Sequence, residues 1–234
     1  MKQQVNAIIV AAGKGMRMNE SVRKQYITLD GIPILKHTLS TFDSCQLVSQ
    51  IILVAPKEDF DFCRNDILRP AKFQKNIKLV AGGIERQDSV YNGLQIVEPV
   101  DGIVVIHDGV RPFVRQEHLV ACIKGAIQFG ACITGIPAFD TVKQVNAENE
   151  IVQTHKRDSL WLAQTPQAFR AKLIIKAHET AKQDRFIGTD DASLVERLGQ
   201  AVKIIPGSRS NIKITSKEDL ELARAILQSK LSEL

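Results

Sequence analysis

The chain has 234 residues, of which 44% are hydrophobic and 24% charged, a balance typical of a globular protein with a large core. Its net charge of +5 is spread without a block of five basic residues, and aromatic residues make up only 5%. These values disfavour nucleic acid as a partner and favour small anions. The first apolar run, residues 7–12, is too short for a secretory signal, and no run is long enough to span a membrane. We therefore expect a cytoplasmic protein.

Short apolar runs alternate with helical patterns along the chain. Apolar runs predict strands at residues 5–10, 50–55, 77–80, 102–106, 131–136 and 202–205. Apolar residues spaced three or four apart predict helices at 33–42, 58–68, 86–96, 116–128, 171–183, 190–198 and 217–231. This alternation indicates an α/β fold with a doubly wound, mostly parallel sheet. No linker or repeat interrupts it, so we expect one domain over residues 1–234.

One region breaks the alternation. Residues 140–157 contain two short β-like pieces, 141–145 and 151–154, on either side of a polar turn, which is a hairpin pattern. Its strands are too polar for the centre of a sheet. We expect a protruding β-hairpin arm at about residues 138–158 that holds a partner subunit. A hairpin folded against the edge of its own domain fits the pattern equally well.

The four cysteines, Cys45, Cys63, Cys122 and Cys132, form no C-x-x-C pair and have no histidines clustered nearby. Reduced thiols are the ordinary state of such cysteines in a cytosolic protein. The sequence also lacks a Ser–His–Asp grouping and an H-E-x-x-H motif. Nucleophilic and zinc chemistry are therefore disfavoured.

The stretch "AAGKGMRM" follows the first strand, where open parallel sheets bind ligands. It lacks both common phosphate motifs, since Met18 occupies the place of the third glycine of G-x-G-x-x-G. A turn of small residues followed by Lys14, Arg17 and Lys24 nevertheless suits an anion, because backbone N–H groups can approach it closely. A turn with a solvated basic face is the alternative.

Two further strand ends carry polar residues. "GGIERQDSVYNG" places Ser89 near the start of a helix, where it could serve only as a cap or a surface residue. "VIHDGVRP" delivers Asp108 to the end of a buried strand, beside Gly109 and Arg111. A carboxylate there suits a metal ion that bridges phosphates, or a ligand hydroxyl. A structural Asp108–Arg111 ion pair is the alternative, and we interpret His107 as structural.

A late group of polar residues completes the candidates. "TPQAF" contains Thr165, "TDDAS" contains Thr189 and Asp190, and "SNIKIT" contains Lys213. A lysine in such an apolar segment would be costly if it were buried without a partner. It either lies exposed at a strand edge or binds a ligand phosphate.

Taken together and in order, these motifs resemble the 2-C-methyl-D-erythritol 4-phosphate cytidylyltransferases of the non-mevalonate isoprenoid pathway. The resemblance runs through "AAGKGMRM", "RKQY", "GGIERQDSV", "HDGVRPF", "DTVK", "TPQAF", "TDDAS" and "SNIKIT". Two departures are small: the family usually has proline at the position of Arg23, and small residues, often alanine, at Gly109 and Val110.

The resemblance implies a Rossmann-like nucleotidyltransferase fold and transfer of CMP from CTP to 2-C-methyl-D-erythritol 4-phosphate, with release of pyrophosphate. It implies Mg²⁺ bound with CTP near Asp108, and a homodimer whose arm reaches the other subunit's active site. The catalytic cations it implies are Arg17, Lys24, Arg157 and Lys213. The implied nucleotide-binding residues are Ala11, Ala12, Gly13, Gly83, Ser89, Asp108 and Gly109. The implied sugar-phosphate-binding residues are Asp108, Arg111, Thr141, Arg157, Thr165 and Lys213.

Two other functions compete with this one. A ribitol-5-phosphate cytidylyltransferase would share the fold and the CTP loop, but such proteins tend to have serine at the position of Gly109 and to lack "TDDAS". A nucleotide-sensing module without catalysis would not need both Arg157 and Lys213 for an attacking phosphate. Assaying the two sugar-alcohol phosphates side by side with CTP separates the first alternative, and pyrophosphate release separates the second.

Overall fold

The computed structural model describes residues 3–13 and 22–232, and its centre is a seven-stranded sheet. In chain order the strands are β1 (Val5–Val10), β2 (Thr28–Leu29), β3 (Ile32–Pro33), β4 (Gln50–Ala55), β5 (Ile77–Ala81), β6 (Ile103–Asp108), β7 (Ala131–Pro137), β8 (Lys143–Val145), β9 (Ile151–Thr154), β10 (Trp161–Arg170) and β11 (Lys203–Pro206). The central sheet has the order β11-β7-β10-β6-β1-β4-β5. Every pair in it is parallel except those that β10 makes with β6 and β7. The predicted mostly parallel α/β sheet is confirmed.

The helices are α1 (Ile34–Ser44), α2 (Phe60–Phe62), α3 (Arg69–Ala71), α4 (Arg86–Leu94), α5 (Gln116–Phe129), α6 (Ala171–Gln183), α7 (Asp191–Arg197) and α8 (Lys217–Ser232). A π-helical segment at Cys63–Leu68 joins α2 to α3, so the helix predicted at 58–68 is irregular. Shorter 3-10 turns lie at Lys24–Tyr26, Lys57–Asp59 and Arg157–Ser159. No helix of the described ranges is both long and apolar enough to cross a bilayer.

Helices cover both faces of the sheet because neighbouring residues of each strand point to opposite sides. Ile9 belongs to the core that α1 and α5 complete, whereas Ile8 belongs to the core that α4, α6 and α7 complete. Both side chains are fully buried. Burying an isoleucine of this kind stabilises the fold by about 1.5–3 kcal/mol. The continuous apolar runs of the sequence follow directly from this two-sided burial.

The strand β10 was not predicted. Its middle holds Gln164, Thr165 and Pro166, and its pairing register with β7 shifts between Ala163 and Gln167. A polar stretch with a proline lacks the apolar run that marks a buried strand. The short β2–β3 hairpin was also missed, and its turn uses positive φ angles at Asp30 and Gly31.

The predicted hairpin at residues 141–154 is present as a separate two-stranded sheet of β8 and β9. All seven residues of its strands are exposed, although Val145, Ile151 and Val152 are apolar. The observed first strand begins at Lys143 rather than at residue 141.

Candidate active site

The carboxyl ends of β1, β5 and β6 meet at one edge of the sheet and form a first cavity of about 200 Å³. Val10 stands beside Asp108 in the register of β1 and β6, and the Gly109 N–H donates to the Val10 carbonyl at 2.8 Å. The lining residues are Val10, Ala11, Ala12, Gly13, Lys24, Gln25, Gly83, Ile84, Glu85, Arg86, Ser89, Asp108, Val110 and Lys213. Small residues therefore form much of this wall, where a ligand can approach the backbone.

Lys24 enters the first cavity from a short turn that is anchored on both sides. The buried Gln25 amide donates to the Ala11 carbonyl at 2.8 Å, which joins this turn to the end of β1. The Arg23 guanidinium pairs with Glu58 at 2.6 Å and with Asp59 at 2.9 Å. The family that the motifs resemble usually has proline at the position of Arg23, and in this chain ion pairs to the segment after β4 fix the backbone there.

The loop after β5 is shaped by two glycines and by Ser89. A Cβ at Gly82 would lie 2.2 Å from the Ala12 Cβ, and one at Gly83 would lie 2.2 Å from the Asp88 Cβ. The Ser89 hydroxyl accepts from the Gly83 N–H at 3.0 Å and donates to the Glu85 carbonyl at 3.1 Å. Ser89 is thus not the cap of α4, since Glu85 occupies that position; it holds the loop against the helix.

Three cations surround the Asp108 carboxylate. Oδ1 accepts from Arg86 Nε at 3.1 Å, while Oδ2 lies 3.0 Å from Lys213 Nζ and 3.4 Å from Arg111 Nε. Burial alone would raise the pKa of Asp108, but the charges of these cations outweigh burial and hold it well below its usual range. The Asp108–Arg111 pair exists, but as one contact of a larger cluster. Lys213 is half-buried in an irregular segment, so the strand-edge interpretation of this lysine is wrong.

Sequence reasoning missed the partner behind Arg86. Arg86 Nη1 donates to Asp191 Oδ2 at 2.8 Å, and His178 Nε2 lies 3.1 Å from Asp191 Oδ1. Burial would lower the pKa of Arg86, but the charges of Asp191 and Asp108 raise it overall. Asp191 and Arg86 are 105 residues apart, and no local pattern could have paired them.

A second cavity of about 240 Å³ adjoins the first, on the side of β10 and α7. Its lining residues are Arg86, Asp108, Arg111, Ala163, Gln164, Thr165, Gln167, Thr189, Asp190 and Lys213. Three of them, Arg86, Asp108 and Lys213, also line the first cavity and form a shared wall. The Thr165 hydroxyl accepts from the buried Asp108 N–H at 3.1 Å. The polar residues in the middle of β10 therefore line this second cavity, and one of them, Thr165, positions Asp108.

Known proteins match this chain over nearly its whole length, both in sequence and in fold. The profile of the 2-C-methyl-D-erythritol 4-phosphate cytidylyltransferase family matches residues 5–229. The enzyme of that name from Syntrophus aciditrophicus is 50% identical, over 97% of each chain. The one from Geobacillus kaustophilus is 49% identical, over 97% of this chain and 98% of its own. The crystal structure of 4-diphosphocytidyl-2C-methyl-D-erythritol synthase from Anaerococcus prevotii superposes with a TM-score of 0.87 at 38% identity, over 97% of each chain.

The chain belongs to the 2-C-methyl-D-erythritol 4-phosphate cytidylyltransferase family. It is accordingly a cytidylyltransferase that converts CTP and 2-C-methyl-D-erythritol 4-phosphate to the cytidine diphosphate derivative and pyrophosphate, in isoprenoid biosynthesis. This is the function that the sequence motifs predicted.

The structure brings most residues implied by the cytidylyltransferase resemblance to the two cavities, with four exceptions. Gly109 is buried behind the wall and lines neither cavity as the described residues form them. Arg17 lies outside the described residues. Thr141 and Arg157 are exposed near the hairpin, and Arg157 Nη1 donates to the Phe139 carbonyl at 3.1 Å. Neither of these two lines either cavity as the described residues form it.

A resident metal does not fit the cytidylyltransferase site by itself. Among residues 3–13 and 22–232, no group of three or more His, Cys, Asp or Glu is arranged to hold an ion. The one carboxylate at the shared wall, Asp108, already contacts three cations. A Mg²⁺ ion can bind with one protein carboxylate only when phosphate oxygens and water complete its octahedral shell. The donor set therefore suits a metal that arrives with a nucleotide.

Proposed function

We propose that the two cavities divide the substrates of the cytidylyltransferase reaction between them. CTP binds in the first cavity, against the backbone of residues 11–13 and the Gly83 loop, and the sugar phosphate binds in the second. The observation that carries this proposal is the shared wall of Arg86, Asp108 and Lys213. CTP and the sugar phosphate, bound on either side of this wall, would have their reacting phosphates close together.

The chain's own residues would supply neutralisation and alignment. The attacking phosphate and the α-phosphate of CTP are both anionic, so their approach requires cations rather than a covalent nucleophile. Lys24 enters the first cavity, Arg111 enters the second, and Lys213 lines both. By resemblance, Arg17 adds a cation on the triphosphate.

Mg²⁺ bound with CTP would neutralise the triphosphate, with Asp108 as the protein's candidate ligand. The donor set described above supports an ion that binds only with nucleotide. Mn²⁺ titration followed by electron paramagnetic resonance tests this: we expect weak binding to the free protein and at least tenfold tighter binding with a non-hydrolysable CTP analogue. Equal affinities would contradict it.

The exposed hairpin supports a shared active site in a homodimer. We infer that β8 and β9 reach a second subunit, which would cover Val145, Ile151 and Val152 and bring Thr141 and Arg157 to its second cavity. The buried free thiols of the four cysteines support a reducing, cytoplasmic location.

Subunit mixing tests the arm. In a heterodimer of Arg157→Ala and Lys24→Ala chains, a shared site would leave one active site with both lesions and the other with neither. We expect about half of wild-type activity per verified heterodimer. Inactive heterodimers would exclude sharing, and a monomer by light scattering would exclude the dimer.

Pyrophosphate release tests the function as a whole. With CTP present, we expect turnover with methylerythritol phosphate and little with ribitol 5-phosphate. Replacing CTP by ATP should lower kcat/KM by orders of magnitude, because by resemblance the backbone of the glycine-containing loops would read the pyrimidine. Equal use of ATP would overturn the division of the cavities, and preference for ribitol 5-phosphate would change the assigned substrate.

A further inference from the structure

Arg86 occupies an unusual position between two carboxylates and two helix starts. It is the first residue of α4, and Asp191 is the first residue of α7. Its Nε donates to Asp108 Oδ1 at 3.1 Å and its Nη1 donates to Asp191 Oδ2 at 2.8 Å. A planar guanidinium can hold two such partners in a fixed geometry, which a lysine ammonium cannot do as well.

Asp191 lies behind Arg86, outside the lining of both cavities as the described residues form them. Its side chain is only 2% exposed. Such burial of a carboxylate is costly unless the charge is paired, and an apolar residue would pack the same space more cheaply. The use of an aspartate here therefore points to a demand for its charge, and Arg86 is what that charge holds.

His178 completes the chain of contacts. It is 1% exposed, and its Nε2 lies 3.1 Å from Asp191 Oδ1. The Nδ1 atom is buried with no hydrogen-bond partner in the described part of the chain. A carboxylate oxygen accepts, so the Nε2 contact places a hydrogen on Nε2, and His178 donates to Asp191 and fixes that carboxylate.

We propose that Arg86 and, behind it, the buried Asp191 and His178 form a positioning chain that fixes the Asp108 carboxylate at the wall between the two cavities. Lys213 and Arg111 contact Oδ2 of Asp108, whereas Arg86 contacts Oδ1. The contact from Arg86 to Oδ1, opposite the contacts to Oδ2, thus sets the rotation of the Asp108 carboxylate about its Cβ–Cγ bond. This inference depends on the proposed role of Asp108 at the reacting phosphates.

Hydrogen bonds of Gln87 also join the start of α4 to the loop before α7, and they do not depend on the charge of Asp191. The Gln87 amide donates to the Phe186 carbonyl at 3.0 Å and accepts from the Gly188 N–H at 2.9 Å. This pair of hydrogen bonds joins the start of α4 to the loop before α7 without using Arg86. A variant that lacks the Asp191 charge can therefore keep the packing of these helices.

The decisive experiment measures kcat and both KM values for Asp191→Asn, a substitution that keeps the volume and removes the charge. We expect kcat to fall at least about tenfold, because misplacement of a group by about 1 Å can lower rates up to 10²-fold. Both KM values should stay within about threefold, since binding contacts remain. The matched control is Asp184→Asn, which breaks the exposed Asp184–Arg197 pair at 2.6 Å and should leave kcat within twofold.

A pair of substitutions at His178 gives an independent test. His178→Gln keeps a donor for Asp191, and His178→Leu removes it at similar volume. We expect the glutamine variant to retain most of the wild-type kcat and the leucine variant to lose at least about threefold more. If Asp191→Asn fails to fold, this pair and Arg86→Lys, which keeps the charge without the fork, decide the question.

Three results would overturn the proposal. They are a folded Asp191→Asn enzyme with kcat within twofold of wild type, equal losses for the two His178 variants, or full activity of Arg86→Lys. A wild-type protein that releases no pyrophosphate from CTP and methylerythritol phosphate would instead refute the proposed function, so the two failures are distinguishable.

Discussion

The two cavities meet at one wall but are built from different chemistry. The first is lined largely by small residues that expose backbone, such as Ala11, Ala12 and Gly83. The second is lined by polar side chains, among them Gln164 and Gln167 of β10. Backbone recognition needs glycine and alanine at fixed points of a turn, whereas side-chain recognition can draw on residues from anywhere in the chain.

This difference explains why the two sides respond differently to substitution. In the first cavity a side chain can matter by shaping a loop, as Ser89 does through Gly83. In the second cavity, a side chain can matter by holding the backbone of another residue, as the Thr165 hydroxyl holds the N–H of Asp108. The shared wall should be the most sensitive place, because a substitution there changes both cavities.

The largest effect is expected at the shared wall. Lys213→Ala removes a cation that lines both cavities and lies 3.0 Å from Asp108. Loss of one preorganised charge of this kind lowers kcat by about 10²–10³. Steady-state kinetics measures it, with Lys217→Ala at the exposed start of α8 as the control. A loss of less than fivefold would show that Lys213 only pairs with Asp108.

Thr165→Val should have the next largest effect, and on the second cavity. The isosteric change leaves the buried Asp108 N–H without its acceptor, which costs about 1–3 kcal/mol of stability. The displaced Asp108 should also lower kcat roughly tenfold, equivalent to about 1.4 kcal/mol.

Thr134→Val is the matched control for Thr165→Val. Thr134 is also fully buried, and its hydroxyl donates to the Pro166 carbonyl at 3.1 Å. Urea unfolding should show destabilisation of both variants, while kcat measured on folded protein should fall only for Thr165→Val. Equal kcat values would remove Thr165 from the positioning of Asp108.

The sequence predicted the first cavity better than the second. Strands at 5–10 and 50–55 and the helix at 171–183 appear with the predicted bounds, because two-sided burial and helical spacing are local signals. The loops that line the first cavity follow such strands directly. The strand β10 was missed, since the polar residues that serve the second cavity erase the apolar run.

Pairings over long sequence separations were beyond any local pattern. Thr165 contacts a residue 57 positions away, and Arg86 contacts one 105 positions away. The resemblance supplied Thr165 as a site residue and included Asp191 within "TDDAS", but neither it nor periodicity gave Asp191 a role. Only the folded sheet places the starts of α4 and α7 side by side.

A smaller effect is expected in the first cavity. Ser89→Ala removes the acceptor for the Gly83 N–H, a loss of about 1 kcal/mol, so KM for CTP should rise about fivefold. The KM for methylerythritol phosphate should change less than twofold. Ser40→Ala is the control, because Ser40 makes the same bond to the carbonyl four residues earlier on the exposed face of α1. Equal changes in both KM values would contradict separate cavities.

The smallest effect on turnover is expected from His107, which precedes Asp108 but faces the opposite side of the sheet. Its ring lies 5.0 Å from that of Phe42 in the core, and its Nε2 lies 3.1 Å from the Arg111 carbonyl. Burial lowers the pKa of His107 from 6.5 to about 4. The folded protein then binds fewer protons here than the unfolded chain does between these two values.

His107 should therefore make stability depend on pH, with a sign that follows from the lowered pKa. Its contribution is fully present above pH 6.5 and is lost as the pH falls towards about 4, a change on the order of 3 kcal/mol. Urea unfolding at several pH values should show a shallower acid loss for His107→Gln, which keeps a donor for the Arg111 carbonyl but does not titrate. The kcat of this variant should stay within twofold at pH 7, because His107 lines neither cavity as the described residues form them. Parallel pH profiles of wild type and variant would mean that other groups govern acid stability, and a large loss of kcat would extend the active site to the residue behind Asp108.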